Sequence, residues 1–484
     1  MNDQLYRVSV RGGVLSPSEL LTIIDLAREL GLDGLHFGSR QDILFPVRAD
    51  QVDILRNYSR LTIESLANRH HANIMCSYVA AGIFPSTPWL TSSTYLYVLE
   101  QFTFPTPLEI NITDPQQRLV PLFTGHLNFV ASDEEDYWYL YVKLPGWTGM
   151  ETFPALIHSW DIGRVAGAIC RAPDAETMEE VVLTAHENEN LNLQDVRRDL
   201  TISFRPFPYY EGMNRLDREH YWLGLYWRNN WYSLDFMAAA CELCLEHRIG
   251  KLSITPWKSF ILSGIPDRGR LVWEKLLGRF GINARHSSLE LNWHLPVADG
   301  DALELKRYLV REFDRRDIST YGLTFGITHR GDVPFTSIVV QREDLRSGFV
   351  DGFAVRPLYT LKCAKNFDPN TREYAEYARR VDRSELAELM VEISQLYFEQ
   401  LNEEQEETIE SKPPAQDSVP ERPLYQCEKC WSVYDPQLGE PVSGIPAAMP
   451  FDSLPDDYRC WTCGAPKSAF VATLLSVPAA SGSQ

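Results

Sequence analysis

Cys427, Cys430, Cys460 and Cys463 form two Cys-x2-Cys pairs, QCEKC and RCWTC, near the end of a 484-residue chain. Thiolates are soft ligands, and four of them at tetrahedral positions suit zinc and iron alike. With zinc the site would only fold the protein, because zinc does not change oxidation state. With iron the same four ligands would serve a ferric/ferrous couple and carry one electron. The remaining cysteines offer no second set. Cys241 and Cys244 lie on a predicted amphipathic helix, and Cys76, Cys170 and Cys363 are isolated, so all five read as core or neutral residues. His70-His71 follows a helical pattern and reads as an exposed helix end rather than a haem ligand pair.

The residues between the pairs favour iron. Tyr425-x-Cys427-x2-Cys430 is followed by Tyr434-Asp435-Pro436, Gly439-x-Pro441, Gly444 and Phe451. Then come Leu454-Pro455-Asp456-Asp457-Tyr458, Cys460-x2-Cys463-Gly464, Lys467 and Phe470. Over residues 421–470 this pattern resembles rubredoxin, a small electron carrier with one iron in a cage of four cysteines. The resemblance implies an FeS4 centre on Cys427, Cys430, Cys460 and Cys463 and an aromatic core of Tyr425, Tyr434, Phe451, Tyr458 and Phe470. A domain of about 50 residues has too little apolar core to fold without such help. Two positions depart from the pattern. Trp431 stands where the family has the glycine that bends the first knuckle, and Trp461 where it usually has proline. Tryptophan takes positive φ only at a cost, so the first knuckle is expected to be rebuilt or bent differently. Both indoles are expected near the sulfurs, either as a docking surface or as packing against the rest of the chain.

Composition sets the wider frame. The formal net charge is −20 and the sequence pI about 5.0. Nucleic acid and anionic membranes are thereby disfavoured as partners, and a basic patch or a small basic protein is favoured. MNDQLYRVSVRGG lacks a basic stretch followed by an apolar run, and no membrane-length apolar run exists, so a soluble cytoplasmic protein is expected. No phosphate-binding glycine loop or recognised nucleophile setting is present.

The elements that carry this centre fall into an expected order: residues 1–210, 211–401, 402–422, 423–471 and 472–484. The first two are repeats. Ser16–Val47 and Ser233–Gly264 align without gaps. Each starts with a serine helix-start signal and continues with apolar residues at helical spacing, Leu20, Ile23, Ile24 and Ala27 against Met237, Ala240, Cys241 and Cys244. Each then gives two strands, Leu35–Phe37 and Ile43–Phe45 against Leu252–Ile254 and Phe260–Leu262. A longer α/β stretch follows each repeat. Residues 402–422, rich in Glu and Pro, read as a solvated linker, and 472–484 as a disordered tail. The fold class is therefore α+β: two pseudo-repeats followed by a small metal domain.

Gly38-Ser39-Arg40-Gln41-Asp42-Ile43 resembles the Thr-x-Arg-Gln-Asn segment of siroheme-dependent nitrite and sulfite reductases, and Ile254-Thr255-Pro256-Trp257-Lys258 resembles its counterpart in their second half. In that family two ferredoxin-like half-domains alternate with two siroheme-binding lobes. The resemblance implies a cofactor- or anion-facing role for Arg40, whose planar guanidinium suits small oxyanions. The family's four-iron cluster needs Cys-x5-Cys and Cys-x3-Cys. This chain has only Cys363 in that part, so no 4Fe–4S cluster is expected. The expected function is a one-electron carrier or reductase accessory component, tied by resemblance to nitrite, nitrate or sulfite reduction. The alternatives are a siroheme- or haem-binding reductase fed by the iron domain, and a zinc-binding scaffold.

Overall fold

The computed structural model describes the chain except residues 1–3, 68–73, 187–189, 203–205, 332–333, 344–348, 351–352, 355–356, 411–422, 441–442, 447 and 475–484. His70 and His71 therefore lie outside the described residues, as does the tail from residue 475. The chain is a mixed α/β body followed by a small three-stranded β domain.

The two repeats form matching units. The helix Pro17–Glu29 starts at a capping box in which Ser16 Oγ accepts from the Glu19 N–H at 3.2 Å and Glu19 Oε2 accepts from the Ser16 N–H at 2.7 Å. The helix Leu234–Glu246 also starts at a serine cap, Ser233 accepting from the Phe236 N–H, but Phe236 cannot return the second bond of the box. Leu20, Ile23, Ile24 and Ala27 are fully or almost fully buried, and so are Met237, Ala240, Cys241 and Cys244. The two helices pack on each other, and residues of both repeats share one apolar core.

The repeats also exchange strands. Tyr232–Ser233 pairs antiparallel with Gly34–Phe37, and Val14–Leu15 pairs antiparallel with Leu252–Ile254. Each repeat thus completes the other's sheet and buries an edge that would otherwise be exposed. Residues on either side of the 210/211 boundary accordingly share one folded unit.

A lobe follows each repeat, and the two lobes match in hydrogen-bond pattern. In the first, Ile74–Cys76, Ile110–Thr113 and Leu127–Ala131 run parallel before Tyr137–Val142 turns antiparallel. In the second, Trp293–His294, Phe325–Thr328 and Ile338–Arg342 run parallel before Tyr359–Ala364 turns antiparallel. The duplication therefore extends over the lobes. A further apolar cluster fills the seam where the lobes meet the second repeat, with Met75, Leu119, Tyr210, Trp257 and Phe335 among its members. The last helix, Arg383–Glu410, continues beyond residue 402 into the segment read as linker. No helix among the described residues is long and apolar enough to cross a membrane.

Backbone packing in the second repeat leaves no room at Gly224, where an added Cβ would meet the Tyr210 carbonyl oxygen at 1.9 Å. Gly250 has nothing within 4 Å of the same position. Gly224→Ala is expected to destabilise the body by about 1–3 kcal/mol or more, as overpacking does, while Gly250→Ala leaves stability within about 0.5 kcal/mol. Urea unfolding of the two variants measures the difference.

Candidate metal centre

The small domain is a three-stranded antiparallel sheet in which Pro423–Cys427 pairs with Val433–Tyr434 on one side and Phe470–Leu474 on the other. Its core is aromatic. Tyr425 stacks on Phe451 at 4.0 Å between centroids, and Tyr434, Tyr458 and Phe470 pack around Phe451. The phenols of Tyr434 and Tyr458 are satisfied inside. Tyr458 donates to Glu440 Oε1 at 2.8 Å and Tyr434 to the Met449 carbonyl at 2.7 Å. Burial, with Glu440 alongside, pushes the Tyr458 phenol well above its usual range. Lys467 Nζ ties the loop 452–454 by donating to the carbonyls of Asp452 and Leu454.

The two Cys-x2-Cys loops are near copies. Cys427 N–H donates to the Ser432 carbonyl and Trp431 N–H to the Cys427 carbonyl, both at 2.8 Å. Cys460 N–H donates to the Ala465 carbonyl and Gly464 N–H to the Cys460 carbonyl, again both at 2.8 Å. Gly464 sits at φ 71° and Trp431 at φ 64°. Tryptophan has therefore not altered the bend. The backbone keeps the left-handed turn that glycine favours, because the knuckle hydrogen bonds and the sheet over-determine it.

The loops bring all four sulfurs within 4.8 Å of one another. Cys427 Sγ lies 3.7 Å from Cys463 Sγ, and Cys430 Sγ lies 3.4 Å from Cys460 Sγ. A tetrahedral ion with metal–sulfur bonds of about 2.3 Å needs sulfurs about 3.8 Å apart, so the cage fits such an ion. Cys427 and Cys460 are fully buried, Cys430 is half-buried and Cys463 is exposed, which gives the cage one open edge. Ser432 completes the surroundings with its hydroxyl 3.1 Å from Cys430 Sγ and 2.9 Å from Cys460 Sγ. Desolvation opposes ionisation of Cys430, yet hydrogen bonds from Ser432 and the neighbouring thiols outweigh it and bring this thiol down to about 6. Sequence reading did not single out Ser432. Its only signal there was a hydroxyl residue two positions after the second cysteine.

The two indoles part company. Trp431 is 72% exposed at the open edge. Trp461 lines a cleft with Arg215 and Arg218 of the body, beside the hydrogen bond from Arg218 Nη2 to the Ser443 carbonyl at 3.1 Å.

Other residues singled out in the sequence lie elsewhere. Arg40 is half-buried at the seam between the first repeat and its lobe. Nη1 donates to Asn111 Oδ1 at 2.7 Å and Nη2 to the Ile110 carbonyl at 2.8 Å, and burial lowers its pKa. Gln41 beside it clamps the same lobe by exchanging two hydrogen bonds with the Cys76 backbone, at 3.0 and 2.7 Å. In the second repeat Trp257 Nε1 donates to the Leu119 carbonyl at 2.8 Å. Cys241 and Cys244 are buried in their helix, and burial raises the Cys241 thiol to about 12. Cys363 lies alone on Tyr359–Ala364. Among the described residues the four cysteines of the small domain form the only metal-competent group of His, Cys, Asp or Glu side chains.

Comparison with known proteins agrees with both parts of this architecture. Residues 424–470 match the rubredoxin family model, and residues 2–58 match the nitrite/sulfite reductase ferredoxin-like half domain. A probable rubredoxin of Methanothermobacter thermautotrophicus is 46% identical over 46 residues, covering 10% of this chain and 73% of that protein. The high molecular weight rubredoxin of Moorella thermoacetica is 52% identical over 48 residues, covering 10% of this chain and only 21% of its own length. Through its C-terminal domain the chain belongs to the rubredoxin family. The larger part has the fold of the Mycobacterium tuberculosis NirA protein, with a TM-score of 0.63 at 14% identity over 85% of this chain and 82% of that one. The rubredoxin domain supports a single iron site and an electron-transfer role.

The strained turn at Trp431 gives a direct test. Trp431→Gly removes an exposed side chain and is expected to stabilise the metal-loaded domain by about 1 kcal/mol, whereas Gly464→Ala is expected to destabilise it by about the same amount. Thermal bleaching of the iron–thiolate absorption reports both shifts.

Proposed function

We propose that this protein is a one-electron carrier that serves a reductase partner. Residues 423–471 hold one iron through Cys427, Cys430, Cys460 and Cys463, residues 1–401 dock the assembly, and residues 402–422 join the two. The observation that carries this reading is the convergence of the four sulfurs within 4.8 Å of one another inside an aromatic-cored domain.

When bound, the iron supplies a ferric/ferrous couple on four thiolates. The chain's own residues do the rest. The paired knuckles hold the sulfurs in one geometry in both oxidation states, which limits rearrangement when an electron arrives. Ala465, Ala469 and Phe470 pack against Cys427 and Cys460 and keep water from the buried side of the cage. The open edge at Cys463 and Cys430 brings a partner close to the sulfurs, and the exposed Trp431 ring offers it an apolar contact.

The body supports a docking role better than a catalytic one. A siroheme–cluster pair would need a thiolate set, but Cys363 stands alone beyond Cys244 in the body, and Cys241 and Cys244 are buried in their helix. The seam also carries the apolar cluster around Trp257, and Arg40 is engaged with Asn111 and Ile110. These residues do not fit that pair. The reductase-like fold points, by likeness alone, to nitrite, nitrate or sulfite reduction as the setting. The acidic surface suits a partner with a basic docking face, reached from a cytoplasmic pool.

Purified protein is expected to contain one iron per chain, to be coloured when oxidised and to bleach with dithionite. Mixed with a candidate nitrite or sulfite reductase, it is expected to speed electron delivery at least tenfold over a variant with all four cysteines changed to serine. Colourless, zinc-loaded protein that dithionite leaves unchanged would sink this reading, as would equal rates for the two proteins.

A further inference from the structure

The second repeat carries a cavity that electron transfer leaves unused. It has a volume of about 360 Å³ and is walled by Trp227, Trp231, Trp257 and Trp293. Three of these indoles already have partners. Trp231 Nε1 donates to Asp33 Oδ1 at 2.9 Å, Trp257 Nε1 to the Leu119 carbonyl at 2.8 Å and Trp293 Nε1 to the Leu289 carbonyl at 2.8 Å. With those N–H groups committed, the walls offer mainly aromatic ring surface.

Lys258 also lines this cavity, although the residue is only 7% exposed. Its backbone is pinned at φ 58° in the turn of the Ile254–Lys258 segment. Its N–H donates to the Thr255 carbonyl at 3.0 Å, and its carbonyl accepts from Tyr232 Oη at 2.7 Å. Among the described residues no group accepts a hydrogen bond from the Lys258 amine. Asp42 and Asp299 act on it only through space. Asp299 is already engaged, with Oδ2 2.8 Å from His329 Nε2 and Oδ1 accepting from the Ala302 N–H. Burial draws the amine down to about 7. A buried amine with three donors and no acceptor is a site awaiting an anion. An aromatic box alone would suit a cation, but a lysine inside it reverses that preference.

We propose that this cavity binds a small planar organic anion of the aromatic carboxylate class, with its ring against the tryptophan faces and its carboxylate on the Lys258 amine. The volume lies within the range of small-molecule pockets. The proposal is independent of the metal in the C-terminal domain, so either can fail without the other.

The test uses the full-length, iron-loaded protein titrated calorimetrically with 2-naphthoate and with neutral 2-naphthamide. Naphthoate is expected to bind once per chain and at least tenfold more tightly than the amide, and Lys258→Met is expected to erase that preference. A second measurement needs no variant: 2-naphthoate is expected to protect Lys258, but not the exposed Lys365, from reductive methylation as read by peptide mass. Absence of naphthoate binding, equal affinity for acid and amide, or unprotected Lys258 in the presence of naphthoate would overturn the proposal.

Discussion

Four thiolates within 4.8 Å of one another repel strongly unless a cation lies among them. That constraint organises the C-terminal domain. The domain has a single aromatic cluster and three short strands, too little apolar area to hold four like charges together unaided. Metal binding and folding are therefore linked, and the knuckle hydrogen bonds serve both. The same demand explains why the left-handed bend survives at Trp431. The sulfur positions leave the backbone no other course, so the side chain accepts the strain and projects into solvent.

The body puts one motif to different uses in two copies. Under the gapless alignment of the repeats, Arg40-Gln41 corresponds to Trp257-Lys258. In the first copy polar side chains fasten the repeat to its lobe, with Arg40 on Asn111 and Gln41 on the Cys76 backbone. In the second copy an indole does the fastening, reaching Leu119 of the opposite lobe and anchoring the apolar seam. An architecture built around a central seam thus keeps its symmetry while the seam itself is filled by packing.

Arginines of the body meet the metal domain. Arg218 meets the Ser443 carbonyl, and Trp461 lies over the cleft beside Arg215. Trp431 and Cys463 stay exposed. The contact with the body therefore leaves the Cys463 edge of the cage open to solvent.

The sequence by itself determined whatever rests on neighbours along the chain. The metal cage was legible because each cysteine pair is a local loop and the aromatic residues recur at fixed spacing between them. The helix starts at Ser16 and Ser233 were legible because caps are local hydrogen bonds, and the duplication because two copies carry one apolar rhythm. Tertiary structure alone decided what joins distant segments. Strand exchange between the repeats depends on pairing residues more than two hundred positions apart, Tyr232 with Leu35 and Leu252 with Leu15. The engagement of Arg40, the proximity of Ser432 to two sulfurs and the seclusion of Lys258 among tryptophans also belong to it. Side-chain type states which bonds a residue can make, but only the folded chain settles which partners come within reach and which groups are left without one.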